Sequence, residues 1–372
     1  MIFLKLFEPL GNDFVVYYEA AKMFLAGLNP YTGLITRTFP LNYPPIISLF
    51  VWPLGIGPIS LISPIWNILS VGALLGSIWV VLGWTRRRSW GKYILLIGLF
   101  TLPFFPTKFN VGMGQINNFI LLFCVLGIRW PFFLALATGM KFAPAVFVLY
   151  YLITKDWGRI KKFFLYLAGL QILSFIFVPL DWQIIYWTKV LPLSFTDAVK
   201  DWYYNQSLYG FLARSLNSEL ITKICFYGLA IGMVGITIMR GMREIREMGM
   251  PAGKAGETGR RRVLAGVACL YLLVHPMAIQ HYFGLAIIPL ILLGLNKWTA
   301  IAYLLIAANI KQPDLVPKSF NFILSHQFFG VLILWVVAVW GKETIRVIGG
   351  IWVIGVTMSY LLTLLCRGKF CF

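Results

Sequence analysis

The sequence is a succession of apolar segments, separated by short loops that carry most of the lysine and arginine. Roughly 20 apolar residues span a bilayer as a helix, and shorter segments suffice when a helix is broken or shielded by its neighbours. Hydrophobic residues make up 59% of the 372 residues and charged residues 12%, well below the charged fraction of a soluble domain. An all-α polytopic membrane protein is therefore predicted.

Hydropathy predicts a bundle of about ten to twelve transmembrane helices that forms one integral membrane domain, residues 1–372. Two short segments, 131–141 and 143–153, are predicted as half-helices that meet at MKFAP (140–144). Segment 45–56 contains Pro45 and Pro53, so a re-entrant or interfacial helix is predicted there. The predicted full spans are 64–84, 92–106, 117–128, 163–179, 220–239, 263–275, 282–295, 298–310, 327–340 and 346–366.

The net charge of +19 is explained by the positive-inside rule, so no nucleic-acid partner is predicted. Basic loops occur at 85–92, 154–162 and 240–262, and these are predicted to be cytoplasmic. The chain is thus expected in the cell membrane, with its candidate chemistry on the non-cytoplasmic face. The predicted external loops are 11–45, 107–116, 180–219, 275–281 and 311–326.

A polar and aromatic stretch near the start of the chain, residues 14–26, shows the signals of a helix. Asp13 suits an N-cap, and Gly27 suits a C-terminal cap with Pro30 beyond it. An amphipathic helix on the membrane surface is predicted in the first external loop, and a cap role for Asp13 stays open. Its apolar face has helical spacing and consists of Phe14, Tyr17, Tyr18, Ala21, Phe24 and Leu25.

Five motifs occur in order over residues 13–282: DFVVYYEAAKMFLAGLNPY with a following YPP, GQINN (114–118), MKFAP, NQSLYGFLAR (205–214) and HPMAIQHY (275–282). Together they resemble glycosyltransferase family 87, a family of the GT-C class that uses polyprenyl-phosphate sugars. Its better-known members include mycobacterial mannosyltransferases of phosphatidylinositol mannosides. Beyond about residue 300 the similarity is one of hydropathy alone.

The resemblance implies a GT-C-type bundle and an inverting transfer of a hexose to a lipid or glycan acceptor of the cell envelope. Mannose is the expected hexose, because the better-known family members transfer mannose. It places the catalytic base at the acid of the first external loop, which is Asp13. An alcohol is a poor nucleophile, and a carboxylate within hydrogen-bond reach removes its proton during attack. The expected partners are membrane lipids, the polyprenyl-phosphate donor and the acceptor, without a cofactor or a metal ion.

Two basic residues are candidates for binding the donor phosphate, whose negative charge rises as the sugar leaves. Lys141 lies between two apolar half-helices, where an unpaired ammonium group is costly. The alternative for Lys141 is snorkelling to the nearer interface. Arg214 has a planar guanidinium that suits a phosphate, and its alternative role is to anchor an interfacial helix.

Further polar residues are predicted to orient the phosphate or the sugar. Asn205, Gln115 and Asn117 lie at the ends of apolar segments, where polar side chains also occur simply because they contact water. The resemblance makes His281 a donor-binding residue, although a place in the interfacial aromatic belt would also explain it. Tyr43, with its following prolines, shapes the loop returning toward Asp13 or forms an ordinary interfacial turn.

Other functions stay open at this point. A related pentosyltransferase would use the same phosphate chemistry. A flippase or transporter predicts ionisable residues on several mid-span helices, whereas the chain has Lys141 and little else at depth. An inactive membrane protein is the remaining alternative, because the resemblance implies a full span before the first loop and only MIFLKLFEPLGN precedes Asp13. Either a longer product exists or the chain begins with a half-helix.

Overall fold

The computed structural model describes residues 11–32, 41–85, 89–192, 201–216, 218–247, 254–311, 313–316 and 323–341. Over these ranges the chain is helical, and its extended pairing is limited to one isolated bridge between Asn205 and Ile279. The predicted all-α polytopic architecture is confirmed. The predicted span 346–366 lies outside the described residues.

The helices of the first half are α1 (Asn12–Leu25), α2 (Pro45–Ile56), α3 (Ile59–Gly83), α4 (Trp90–Thr101), α5 (Phe105–Met113), α6 (Asn117–Gly127), α7 (Pro131–Met140) and α8 (Ala143–Ile153). Those of the second half are α9 (Trp157–Phe177), α10 (Leu180–Ile185), α11 (Leu208–Ser215), α12 (Glu219–Glu247), α13 (Lys254–Val274), α14 (Gln280–Leu293), α15 (Lys297–Ala307) and α16 (His326–Trp340). Helix α10 continues as a π-helical turn, Tyr186–Val190.

Four described helices are long and apolar enough to cross a membrane alone: α3, α9, α12 and the segment Ile323–Trp340 that contains α16. Helices α4 and α5 reach the same criterion only as a pair, and they are bent by 69° at the break between them. The predicted span 92–106 therefore contains a sharp break. Pro103 explains the break, because proline removes a helical hydrogen bond and clashes with the preceding turn.

Two other predicted connections have clear outcomes. The break between half-helices at MKFAP is confirmed, since α7 ends at Met140 and α8 begins at Ala143. The basic loop 240–262 is instead largely helical, because α12 runs to Glu247 and α13 starts at Lys254. Ion pairs four residues apart, such as Arg243 with Glu247 at 2.5 Å, stabilise this helical extension.

Helix α1 is amphipathic, but its beginning differs from the prediction. Its N-cap is Gly11, without a side-chain cap bond, and Asp13 lies in the first turn, so the cap role of Asp13 is wrong. Gly27 has the left-handed φ of 69° that was expected after the helix. The apolar face packs against protein, with the Phe14 ring 6.0 Å from that of Trp66 in α3, while Leu25 is exposed.

Helix α13 lies at the centre of the bundle, where residues 263–273 are all buried. It packs against α8, α12, α14 and α16. Three helix termini around it contribute polar residues to one end of the bundle: the start of α6, the break before α8 and the start of α14. The loop after α13 reaches the same region, which therefore has several converging chain segments.

Candidate functional site

The first turn of α1 is held against the end of α5 by a close backbone contact. The Gly11 amide donates to the carbonyl of Gly112 at 2.9 Å. A Cβ atom at Gly11 would lie 3.1 Å from the Gly112 carbonyl oxygen and from the Cα atom of Met113, so this close approach of two backbone segments favours glycine. This contact positions Asp13, two residues further on, near the segment that carries Gln115.

Gln115 is held by the turn that ends α5. Gly114 adopts a left-handed φ of 66°, and the Gln115 amide donates to the Asn110 carbonyl at 2.9 Å. The buried Gln115 side chain then accepts hydrogen bonds at Oε1 from the hydroxyls of Tyr17 at 3.1 Å and Tyr43 at 3.3 Å. The two hydroxyls also lie 2.7 Å apart. These bonds connect α1, the loop before α2 and the start of α6.

Three features of the environment of the Asp13 carboxyl act on its pKa. Burial raises the pKa of Asp13 above its ordinary value, while a hydrogen bond from Gln115 and the positive charge of Lys141 lower it. Burial is the largest of these effects. A carboxylate with a raised pKa is a better proton acceptor than an exposed one, as a general base requires.

Lys141 lies at the break between the half-helices α7 and α8 and is buried. Its Nζ donates to Oδ1 of Asn117 at 2.8 Å. The ammonium also lies 4.2 Å from the ring centroid of Tyr282 and 5.2 Å from that of Tyr43. Aromatic faces and one amide oxygen stabilise the cation here, and Asp13 is close enough for the two charges to interact. We call Asp13, Tyr43, Gln115, Asn117 and Lys141 the acid–lysine cluster.

The loop between α13 and α14 brings two histidines to this cluster. The Tyr282 ring lies 5.0 Å from that of His281 and 5.1 Å from that of His275. Two buried nitrogens, Nδ1 of His281 and Nδ2 of Asn117, have no hydrogen-bond partner in the described part of the chain. Buried polar atoms are normally satisfied, so these two are candidates for ligand contacts.

Asn205 and Arg214 lie in a different set of contacts. Arg214 donates to the carbonyls of Trp202 at 2.7 Å and Asn205 at 2.8 Å, and to the Ser325 hydroxyl at 2.7 Å. The Asn205 amide donates to the Pro276 carbonyl at 3.0 Å, and its Oδ1 accepts from the Ser207 hydroxyl at 2.8 Å. We call Asn205, Ser207, Arg214 and Ser325 the arginine cluster, and its bonds join distant chain segments.

The structure thus brings most of the predicted site residues together and places two of them elsewhere. Sequence reasoning missed the roles of Tyr17, taken only as part of an apolar face, and of Tyr282, the last residue of the HPMAIQHY motif. A signal for Tyr17 was present, because it follows Asp13 by four residues and shares its helix face. The residues grouped at one end are Asp13, Tyr43, Gln115, Asn117, Lys141 and His281.

An apolar groove with a volume of about 440 Å³ lies between α9 and the chain segments that follow Tyr43 and Lys141. Its lining includes Pro44 and Phe142, which directly follow Tyr43 and Lys141 in the chain. The groove continues along α9, where it contacts Phe164 and Phe175, both exposed. Most of the apolar surface of α9 is exposed, so this helix faces outward. The groove therefore lies at the outside of the bundle, lined by chain neighbours of two cluster residues.

The sequence profile of glycosyltransferase family 87 matches residues 41–276. The chain belongs to this family. The resemblance drawn from the motifs and the expectation of a glycosyltransferase are confirmed. The matched region contains Tyr43, Gln115, Asn117 and Lys141 of the acid–lysine cluster, and Asp13 precedes it.

Curated relatives extend the similarity beyond the matched region. One is the polyprenol-phosphate-mannose-dependent alpha-(1-2)-phosphatidylinositol mannoside mannosyltransferase of Mycobacterium tuberculosis, 24% identical over 346 residues that cover 83% of this chain and 78% of the relative. Another is the pentamannoside mannosyltransferase of Mycolicibacterium smegmatis, 25% identical over 272 residues, 69% of this chain and 62% of the relative. No solved structure matches the chain.

Proposed function

We propose that this chain transfers a hexose, mannose, from a polyprenyl-phosphate donor to a lipid or glycan acceptor with inversion at the anomeric carbon. The donor assignment is supported by the relatives, whose names specify polyprenol-phosphate-mannose dependence. The observation that carries the proposal is the placement of a carboxyl group and a buried ammonium group, Asp13 and Lys141, in one cluster and close enough for their charges to interact.

Asp13 is the proposed general base. The acceptor hydroxyl attacks the anomeric carbon, its proton moves to the Asp13 carboxylate, and the bond from the anomeric carbon to the phosphate oxygen breaks. The environment supports this role, since burial raises the pKa of Asp13 and Gln115 holds the carboxyl group by a hydrogen bond. Asp13 is free of the N-cap bond that would have reduced its basicity.

Lys141 is the proposed partner of the leaving polyprenyl phosphate. A fixed cation in a site that excludes water strongly stabilises a developing negative charge. Rings on two sides and one amide oxygen hold the Lys141 ammonium in place, so little reorganisation is needed when a phosphate binds. The free nitrogens of Asn117 and His281 are proposed to donate to phosphate or sugar oxygens.

The apolar groove along α9 is proposed to take the isoprenoid chain of the donor. Two of its lining residues, Pro44 and Phe142, directly follow Tyr43 and Lys141 in the chain. With the isoprenoid chain in the groove, the donor phosphate is proposed to lie at the cluster. Its open side lies along an outward-facing helix, from which a lipid enters without crossing the bundle.

We place the reaction at the non-cytoplasmic face of the membrane. Helix α13 supports this placement, because the basic residues Arg260 and Arg261 lie near its start and His275 directly follows its end. The positive-inside rule puts the basic end in the cytoplasm and the acid–lysine cluster at the other end. Metal-independent transfer stays a prediction for this site.

The proposal is tested with the purified full chain in nanodiscs, supplied with polyprenyl-phosphate [³H]mannose and a lipid extract that contains acceptors. Transfer of label into lipid or glycan products, with release of polyprenyl phosphate, is expected. The matched polyprenyl-phosphate pentose is the control for sugar choice. The same purified chain is also reconstituted in liposomes. Movement of the labelled donor across the liposome membrane, without any sugar transfer, would contradict the proposal and favour a flippase.

A further inference from the structure

A second cavity, distinct from the candidate site, has a volume of about 470 Å³. Its lining combines charged, aromatic and aliphatic side chains from the ends of several helices. The residues that matter for its chemistry are Trp84, Tyr150, Arg260, Arg261, Leu264 and Leu292. No step of the proposed sugar transfer uses this cavity.

The cavity lies at the opposite end of the bundle from the acid–lysine cluster. Helix α6 begins with Asn117 of the cluster, and Ile128, which lines the cavity, directly follows its end. Helix α13 runs the other way, from the cavity arginines to His275. At about 1.5 Å per residue, the part of α13 from Arg261 to Val274 is about 20 Å long.

The charges at the cavity favour an anion. Arg261 pairs with Glu257 at 3.2 Å, which neutralises one arginine. Arg260 is exposed, forms no ion pair within the described ranges, and lies close enough for its charge to act on the Tyr150 hydroxyl. One positive charge is therefore uncompensated at the mouth of the cavity. The lining also contains apolar side chains, among them Leu292 and the buried Leu264.

We propose that this cavity binds the headgroup of an anionic phospholipid from the leaflet at the basic end of the bundle. The phosphate contacts Arg260 and Arg261, and the first carbons of the lipid contact the aliphatic lining. A cavity at the ends of membrane helices that combines arginines with aliphatic side chains suits an amphiphile better than a soluble anion. Basic pockets between membrane helices bind anionic headgroups in this way.

The test measures the affinity of the full chain for phosphatidylglycerol by native mass spectrometry. Arg260→Gln is expected to weaken binding about fivefold, and Arg260→Gln combined with Arg261→Gln more than about tenfold. Arg260→Lys keeps the charge and is expected to retain most of the affinity. The matched control is Arg243→Gln, an exposed arginine of the same basic segment outside the cavity, which is expected to bind like wild type.

Four results would overturn the proposal. One is wild-type affinity in the double variant. Another is an equal loss of affinity in Arg243→Gln, which would indicate that the lipid responds to the net charge of the segment and not to the cavity. The third is full displacement of the lipid by inorganic phosphate at similar concentration, which would show an ion site. A photoactivatable phosphatidylglycerol provides an independent measurement on the wild-type chain, with labels expected on residues 83–85 and 257–264. Labelling confined to other segments would also overturn it.

Discussion

The acid–lysine cluster and the arginine cluster both contain buried polar groups, but they differ in what those groups bind. Arg214 donates to two backbone carbonyls and a serine hydroxyl, so its guanidinium joins chain segments that are far apart in sequence. Lys141 bonds one side-chain amide and otherwise faces aromatic rings, with Asp13 near it. The Arg214 guanidinium is used mainly for bonds within the chain, although its buried Nε has no partner in the described residues, whereas the Lys141 ammonium has a single hydrogen bond.

This difference separates two residues for which the sequence suggests the same role. Both Lys141 and Arg214 are basic residues beside apolar segments, and both are candidates for binding the donor phosphate, Lys141 before Arg214. The contacts favour a phosphate role for Lys141 and a structural role for Arg214. A buried arginine that satisfies carbonyl groups is costly to remove whether or not a substrate is present. The predictions below test this division.

Lys141→Met is expected to lower the rate of sugar transfer about 10²- to 10³-fold, because the charge on the leaving phosphate loses its fixed cation. The measurement is single-turnover transfer from polyprenyl-phosphate mannose in nanodiscs. The matched control is Lys161→Met, an exposed lysine on α9, which should transfer at the wild-type rate. Equal rates for Lys141→Met and wild type would remove Lys141 from the mechanism.

Arg214→Gln is expected to lower the free energy of unfolding by about 1–3 kcal/mol for each stranded carbonyl, and to leave transfer per folded molecule near the wild-type rate. Thermal unfolding in detergent and the transfer rate of the folded fraction are measured together. Arg214→Lys should be destabilised as well, because an ammonium group cannot reach three separate acceptors as the guanidinium does. Normal stability with a large loss of transfer would instead assign Arg214 to the phosphate.

Gln115→Leu is expected to move the acid limb of the pH profile of kcat/KM to higher pH. The hydrogen bond from Gln115 lowers the pKa of Asp13, so its loss raises that pKa and the carboxylate becomes protonated at a higher pH. A base is active only when ionised, so activity is lost earlier as the pH falls. An unchanged or lowered acid limb would show that Gln115 does not act on Asp13.

Sequence reasoning predicted the elements with strong local signals. Pro144 and Lys141 interrupt an apolar segment, so the break between α7 and α8 was predictable, as was the turn at Gly27. The N-terminus of α1 was not, because Gly11 is selected by a close contact with Gly112, a tertiary feature.

The role of Arg214 was also beyond local reasoning. Its hydrogen-bond acceptors include Ser325, which becomes a neighbour only after the helices pack. Motif order, in contrast, was enough to identify the family and to select six residues that the fold groups at one end. The family match covers much of the chain, whereas no solved structure provides a template for the placement of these residues.

The central claim is that the Asp13 carboxylate accepts the proton of the acceptor hydroxyl. The most direct measurement is single-turnover transfer by Asp13→Asn, together with the Kd for the polyprenyl-phosphate sugar. Transfer is expected to fall about 10²- to 10⁴-fold with little change in Kd, while Glu19→Gln, six residues later on the same helix, behaves like wild type. Transfer by folded Asp13→Asn at the wild-type rate would contradict the account.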